Sequence, residues 1–278
     1  MIGFVGLGNM GGPMSSRLVA AGYEVRGYDV SPQAFATFDG VPATRLAEAV
    51  TPADVVILML PNSDVVEAVL DEATLRPEAV VVDMSSSEPM RTRALAARLK
   101  NTLIDAPVSG GVKGARNGKL TIMAGGAAGD IERVRPVLEQ LGTVTRAGDV
   151  GSGHAVKALN NLLSATHLLV TSEAILAGEK FGLDPSVMLD IFNSSSGRSG
   201  STENKWPNFV LPGTFDSGFG LRLMLKDMRI ATGLADQVGV PDPLGQAAVD
   251  LWARAAEALD PGADHTEIVN WLRKDESR

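Results

Sequence analysis

A glycine fingerprint at the first strand-to-helix junction constrains the fold of this chain more than any other feature. Residues 2–6 form a short apolar run, and Gly6-Leu7-Gly8-Asn9-Met10-Gly11 follows at once, opening a segment of helical pattern that stops at Gly22. In such a loop the first glycine permits the tight turn and the second lets the backbone approach a pyrophosphate. The third allows helix to pack closely on strand, and the helix N-terminus faces the anion. Alone the pattern says little in a chain with 30 glycines. Its setting says more, because a second apolar run, residues 23–29, ends in an acid 18 positions beyond Gly11. A dinucleotide-binding βαβ unit places its ribose-binding acid there. Asp29 accepts hydrogen bonds from ribose hydroxyls and repels a 2′-phosphate, and residues 30–33 contain no cation, so NAD is expected over NADP. The other reading of Asp29 is a turn or capping acid ahead of Pro32.

Further runs at 55–60, 80–84, 103–106, 120–124 and 144–147 alternate with helix-length segments. Each is too short for a helix and rich in Val, Ile or Leu, as expected of strands buried on both faces of a parallel sheet. The first part therefore reads as α/β, a doubly wound parallel sheet of the Rossmann kind. After Gly151 the strands stop and an all-helical C-terminal domain is expected. Its long first helix, 153–181, is closed by Gly182, and Asp184-Pro185 supplies the cap and first turn of the next. Further helices are expected at 222–238, Pro243–Ala258 and 265–274, and a loose tail at 275–278. The domains read as 1–152, dinucleotide-binding, and 153–278, helical.

The net charge of -8, without a Lys/Arg run, disfavours nucleic acid and anionic lipid as partners. The absence of cysteine excludes disulfides and thiolate metal sites, and His154, His167 and His265 are too far apart for a local ligand cluster. No metal is expected. With no basic leader and no apolar stretch near bilayer length, the expectation is a cytoplasmic protein without membrane spans.

Two more strand ends face the cofactor side of such a sheet: Leu60-Pro61-Asn62 and Ser85-Ser86-Ser87. Their polar groups suit ribose or amide contacts, and equally the capping of helices at 63–70 and 89–99. The segment Asp105-Ala106-Pro107-Val108-Ser109-Gly110-Gly111 sets a serine hydroxyl beside consecutive glycine amides, a concavity for a small carboxylate or a plain turn. Asp105 itself reads as a turn or capping acid.

The segment from Gly151 through Asn161 carries the candidate chemistry. Lys157 and Asn161 lie four residues apart on an otherwise apolar helix, so they share a face. A substrate hydroxyl and carboxylate would give this polar pair partners. Lys157 is the candidate for moving the alcohol proton, which requires an amine of lowered pKa, and Lys226 is a candidate cation to lower it. His154, at the helix start, reads as structural, and His167 and His265 as ordinary helical residues. Leu221, Met224, Leu225 and Met228 have the spacing of a core stripe.

With these segments in view, the chain resembles the 3-hydroxyisobutyrate dehydrogenase family of β-hydroxyacid dehydrogenases over nearly its whole length. The likeness rests on GLGNMGGPM from Gly6, DAPVSGG from Asp105, the lysine helix, SSGRS from Ser195, and Gly218-Phe219 followed by Leu225-Lys226-Asp227. The resemblance implies a Rossmann domain followed by a helical one, with the active site where the two meet. It makes Lys157 the catalytic lysine, Ser109, Gly110 and Gly111 the substrate-carboxylate loop, and Asn161 the substrate-positioning amide. Cofactor contacts would fall at Leu60, Pro61, Val65, Ser86 and Lys226, with Ser86 standing where the family commonly has threonine. A homodimer or homotetramer built through the helical domain is implied as well. Two rivals are an imine reductase, whose relatives usually replace this lysine, and a noncatalytic cofactor-binding protein.

Overall fold

The computed structural model describes residues 1–274, so the tail expected at 275–278 lies outside the described residues. The chain divides into two compact units, Met1–Lys157 and Ala158–Arg278.

The first unit is a nine-stranded sheet with helices on both faces. In chain order it contains β1 (Ile2–Val5), α1 (Gly11–Ala20), β2 (Val25–Tyr28), β3 (Val41–Pro42), α2 (Leu46–Val50), β4 (Val55–Leu58), α3 (Ser63–Glu72), β5 (Val80–Asp83) and α4 (Pro89–Arg98). Next come β6 (Thr102–Asp105), β7 (Val108–Ser109), α5 (Gly111–Asn117), β8 (Leu120–Gly125), α6 (Ala128–Leu138) and β9 (Gly142–Gly148). The strand order is β3-β2-β1-β4-β5-β6-β8-β7, with β9 on β8.

Alternation along each strand builds two cores at once. In β4, Ile57 packs into one layer with Met14 and Leu18 of α1, while Val56 and Leu58 pack into the other with Val66 and Leu70 of α3. Burial on both faces is why these runs are apolar at every position. The expectation of a wholly parallel sheet needs correcting, since β8 runs antiparallel to both β6 and β7. A parallel return needs a crossover of a dozen or more residues, usually a helix. Here the stretch after β6 is spent on β7 and the short α5.

The second unit follows from the helix periodicity. Within α7 (Ser152–Phe181), α8 (Pro185–Asn193), α9 (Leu221–Val238), α10 (Pro243–Ala258) and α11 (Ile268–Lys274), apolar stripes converge on Trp206 and Trp252. Asp184 caps α8 through the amides of Ser186 and Val187, and the expected stripe on α9 is buried. Two features went unforeseen. Residues Ser201–Val210 wind as a π-helix containing Pro207. His265 sits not in an ordinary helix but in a 3-10 turn, His265–Glu267, where its buried ring lies 2.9 Å from the Ser217 hydroxyl. No described helix is long and apolar enough to cross a membrane.

Candidate active site

Each glycine of the first loop has a different physical reason. Gly6 has φ +94°, and a Cβ on it would lie 2.2 Å from the Met59 carbonyl oxygen. A Cβ on Gly11 would lie 1.8 Å from the Gly6 carbonyl oxygen, so this glycine lets α1 approach its own strand. Gly8 is exposed, lies outside the left-handed region, and an added Cβ would meet nothing within 4 Å. Nothing in the chain's own packing calls for glycine there, and the missing side chain leaves room for a group from outside. Asn9 is exposed, and Met10 caps α1 without a side-chain hydrogen bond to the helix amides. An open glycine at a helix start suits a pyrophosphate.

Asp29 stands beside this loop. Its Oδ2 accepts from the Leu7 amide at 2.7 Å, and its Oδ1 from the Ser31 amide at 2.8 Å, so it is a turn acid and a brace for the loop together. Each carboxylate oxygen has a second lone pair for a ribose hydroxyl. Both anticipated roles are therefore chemically compatible.

At the next two strand ends the fold takes some of the polar groups. Asn62 caps α3 by accepting from the Val65 amide at 3.0 Å. Ser85 accepts from the Leu60 amide at 2.9 Å, tying the two strand ends together. The Ser87 hydroxyl donates to buried Asp83. Ser86 is half-buried, in contrast to buried Ser85 and Ser87. Leu60, Pro61 and Val65 are likewise partly or fully exposed.

The chain after β7 bends at two successive glycines, Gly110 (φ +126°) and Gly111 (φ +61°), directly beyond half-buried Ser109. A Cβ on Gly111 would meet nothing within 4 Å, so its backbone is open to approach. Asp105 is fully buried, and its two oxygens accept from the Gly151 and His154 amides at 2.7 and 2.8 Å. Its carboxylate thus caps α7 from the end of β6, and burial pushes its pKa above the usual carboxylate range.

On α7, Lys157 is 7% exposed and Asn161 5%. The Asn161 side-chain nitrogen donates to Asp227 Oδ2 at 2.6 Å, and Lys226 Nζ lies 3.3 Å from Asp227 Oδ1. Asp227, 2% exposed, stands in the signature Leu225-Lys226-Asp227 but was given no role from the sequence. An acid set between Leu225 and Met228 of a core stripe was the available signal, because a buried carboxylate needs partners. The structure therefore groups the predicted residues within each unit. Glycine loop and Asp29 form one set, and Leu60 with the Ser85–Ser87 turn a second. Asn161 with Lys226 form a third, gathered by Asp227.

Residues 1–173 match the NAD-binding domain of 6-phosphogluconate dehydrogenase, and residues 151–272 match the NAD-binding domain of NADP-dependent 3-hydroxyisobutyrate dehydrogenase. The chain is 39% identical to the 3-hydroxyisobutyrate dehydrogenase of Pseudomonas aeruginosa, covering 98% of each. It is 37% identical to the 2-(hydroxymethyl)glutarate dehydrogenase of Eubacterium barkeri, covering 96% of this chain and 93% of that one. A solved structure of Mycobacterium tuberculosis 3-hydroxyisobutyrate dehydrogenase with L-serine superimposes with a TM-score of 0.93 at 35% identity, covering 98% of both chains.

Proposed function

The chain belongs to the 3-hydroxyisobutyrate dehydrogenase family of β-hydroxyacid dehydrogenases, and on that premise we propose that it interconverts a small 3-hydroxy acid and its semialdehyde with NAD, using Lys157 to move the proton. At the coarser level it is an NAD(P)-dependent oxidoreductase acting on CH–OH groups. The observation that carries the finer reading is a buried lysine, Lys157 at 7% exposure, one helical turn before Asn161.

A bound nicotinamide would supply the acceptor for the hydride of the hydroxyl-bearing carbon. The chain's own residues do the rest. The Lys157 amine takes the hydroxyl proton, and in the reverse direction its ammonium returns a proton to the carbonyl oxygen. The amine must be neutral at the moment it takes the proton. Asn161, held by Asp227, presents a fixed amide to the substrate, since a side chain already hydrogen-bonded loses little freedom on binding. The Ser109 hydroxyl and the amides of Gly110 and Gly111 receive the substrate carboxylate. The loop from Gly6 to Gly11 seats the pyrophosphate, and Leu60, Pro61, Val65, Ser86 and Lys226 line the rest of the dinucleotide. Asp29, with no cation in residues 30–33, supports NAD over NADP.

The names of the relatives support the substrate class. 3-Hydroxyisobutyrate, 2-(hydroxymethyl)glutarate and L-serine share a hydroxymethyl group on the carbon that bears the carboxylate. In this reading residues 1–152 serve the cofactor and 153–278 serve substrate and self-association. A homodimer or homotetramer is supported by apolar side chains in water on the helical unit, among them Leu163 at 59%, Val170 at 54% and Phe181 at 84% exposure.

The test is a panel of 3-hydroxyisobutyrate, 3-hydroxypropionate, glycerate, L-serine and threonate assayed with NAD and NADP, alongside Lys157→Ala. The variant should lose about 10²- to 10⁴-fold in kcat while its NAD affinity stays within threefold. No reduced cofactor from any acid, or a variant at the wild-type rate, would remove the assignment.

A further inference from the structure

We propose that Asp105 is a positioning residue for the proton transfer, its buried carboxylate fastening the first turn of the lysine helix to the stem of the substrate loop. The inference rests on the assignment of Lys157 and the Ser109–Gly111 loop made above.

Asp105 closes β6, and Ser109 follows four residues later. From that place Oδ1 receives the Gly151 amide and Oδ2 the His154 amide, at 2.7 and 2.8 Å, across 46 and 49 residues of chain. These are among the amides that a helix start leaves without an internal partner. Lys157 comes three residues after His154, one helical turn past the anchored amide. One side chain therefore ties together the backbone from which the two proposed catalytic elements spring.

Room for that carboxylate is made by the absence of two side chains. A Cβ on Gly125 would stand 2.3 Å from Asp105 Oδ1, and one on Gly153 would stand 2.9 Å from Oδ2 and 2.1 Å from the Met123 carbonyl oxygen. The helix start is pressed against the sheet with the carboxylate between them. A second tether runs parallel. The Thr92 hydroxyl donates to the Glu88 carbonyl, which leaves it to accept from His154 Nδ1 at 2.8 Å. The other ring nitrogen lies 3.7 Å from Asp83 Oδ2, at the end of β5.

A buried charge is a costly cap. Ser, Asn and Asp serve alike at exposed helix starts, but a carboxylate with no exposure pays a desolvation penalty that Ser and Asn avoid. What the carboxylate offers is two acceptor oxygens aimed at two amides, where an Asn amide would turn its own NH2 toward one of them. Such a clamp sets position, and position matters here because a misplacement of about 1 Å can cost about 10²-fold in rate.

The experiment compares Asp105→Asn, Lys157→Ala and the double variant, with 3-hydroxyisobutyrate and NAD. Asp105→Asn should lower kcat about 10- to 100-fold with the NAD KM changed less than about twofold. In the Lys157→Ala background the same substitution should change the residual kcat less than about twofold, because the clamp then has no lysine to place. Equal losses in both backgrounds, or a lower melting temperature with unchanged kcat, overturn the proposal. Wild-type turnover in Lys157→Ala alone would overturn the lysine assignment and this inference with it. Amide hydrogen exchange on the wild-type protein gives a reading that does not depend on the variant folding. The Gly151 and His154 amides should be protected by at least about 10³-fold, and exchange at the free-peptide rate overturns the clamp.

Discussion

Replacing each loop glycine by alanine separates what the fold needs from what the ligand needs. At Gly6 the new methyl would lie 2.2 Å from the Met59 carbonyl oxygen and at Gly11 1.8 Å from that of Gly6, against an ordinary C···O contact of about 3.3–3.6 Å. Overpacking of this kind costs about 1–3 kcal/mol or more when backbone must move. At Gly6 the φ of +94° adds about 1–2 kcal/mol. For a unit of this size each kcal/mol is worth about 2–4 °C, so Gly6→Ala should lower the melting temperature by on the order of 10 °C. Gly8→Ala meets open space in a conformation alanine tolerates. Its stability should stay level or rise by about 0.4–1 kcal/mol, because the unfolded chain loses freedom. Its NAD affinity should nevertheless fall at least tenfold, about 1.4 kcal/mol, since the methyl occupies the approach of the pyrophosphate. Calorimetric melting without cofactor and titration calorimetry with NAD measure the two effects independently. If Gly8→Ala melts more than about 4 °C below wild type, or binds NAD within threefold of it, the reasoning about this loop is wrong.

Three other outcomes are expected. Asp29→Asn keeps an acceptor for the Leu7 amide but removes the charge that repels a 2′-phosphate, so the ratio of kcat/KM for NAD over NADP should drop at least tenfold; an unchanged ratio counts against the cofactor assignment. Asp227→Leu leaves the buried Asn161 amide without its acceptor and should cost about 1–3 kcal/mol in urea unfolding together with a loss of kcat, while a variant as stable and active as wild type contradicts the bracing role. Burial pushes Lys205 from its ordinary 10.5 down to about 8, with Asp264 opposing the shift. Between those values the folded chain holds fewer protons than the unfolded one, so stability should rise with pH across that window, by up to roughly 3 kcal/mol. It should fall back as pH drops through 8. Urea titrations of wild type against Lys205→Met check the sign, and a flat difference refutes it.

The sequence alone determined the local grammar of this protein. Val55–Leu58 and Val80–Asp83 read as strands because both faces of a central strand are apolar, and Asp184-Pro185 marks a helix start through the chemistry of orphan amides. The open glycine at position 8, the acid just after β2 and the shared face of Lys157 and Asn161 were legible for the same reason, since each depends on neighbours a few residues away. Tertiary structure alone decided the rest. The two-residue strands β3 and β7 are too short to carry a period, and the antiparallel course of β8 is a matter of which edge the chain returns to. The π-helix at Ser201–Val210 breaks the 3.6 period on which helix reading depends. Asp105, Asp227 and His265 acquire their tasks only from partners that lie 46 to 66 residues away along the chain. A buried polar group is defined by what it meets, and a linear pattern records which groups a chain carries but not which ones folding sets side by side.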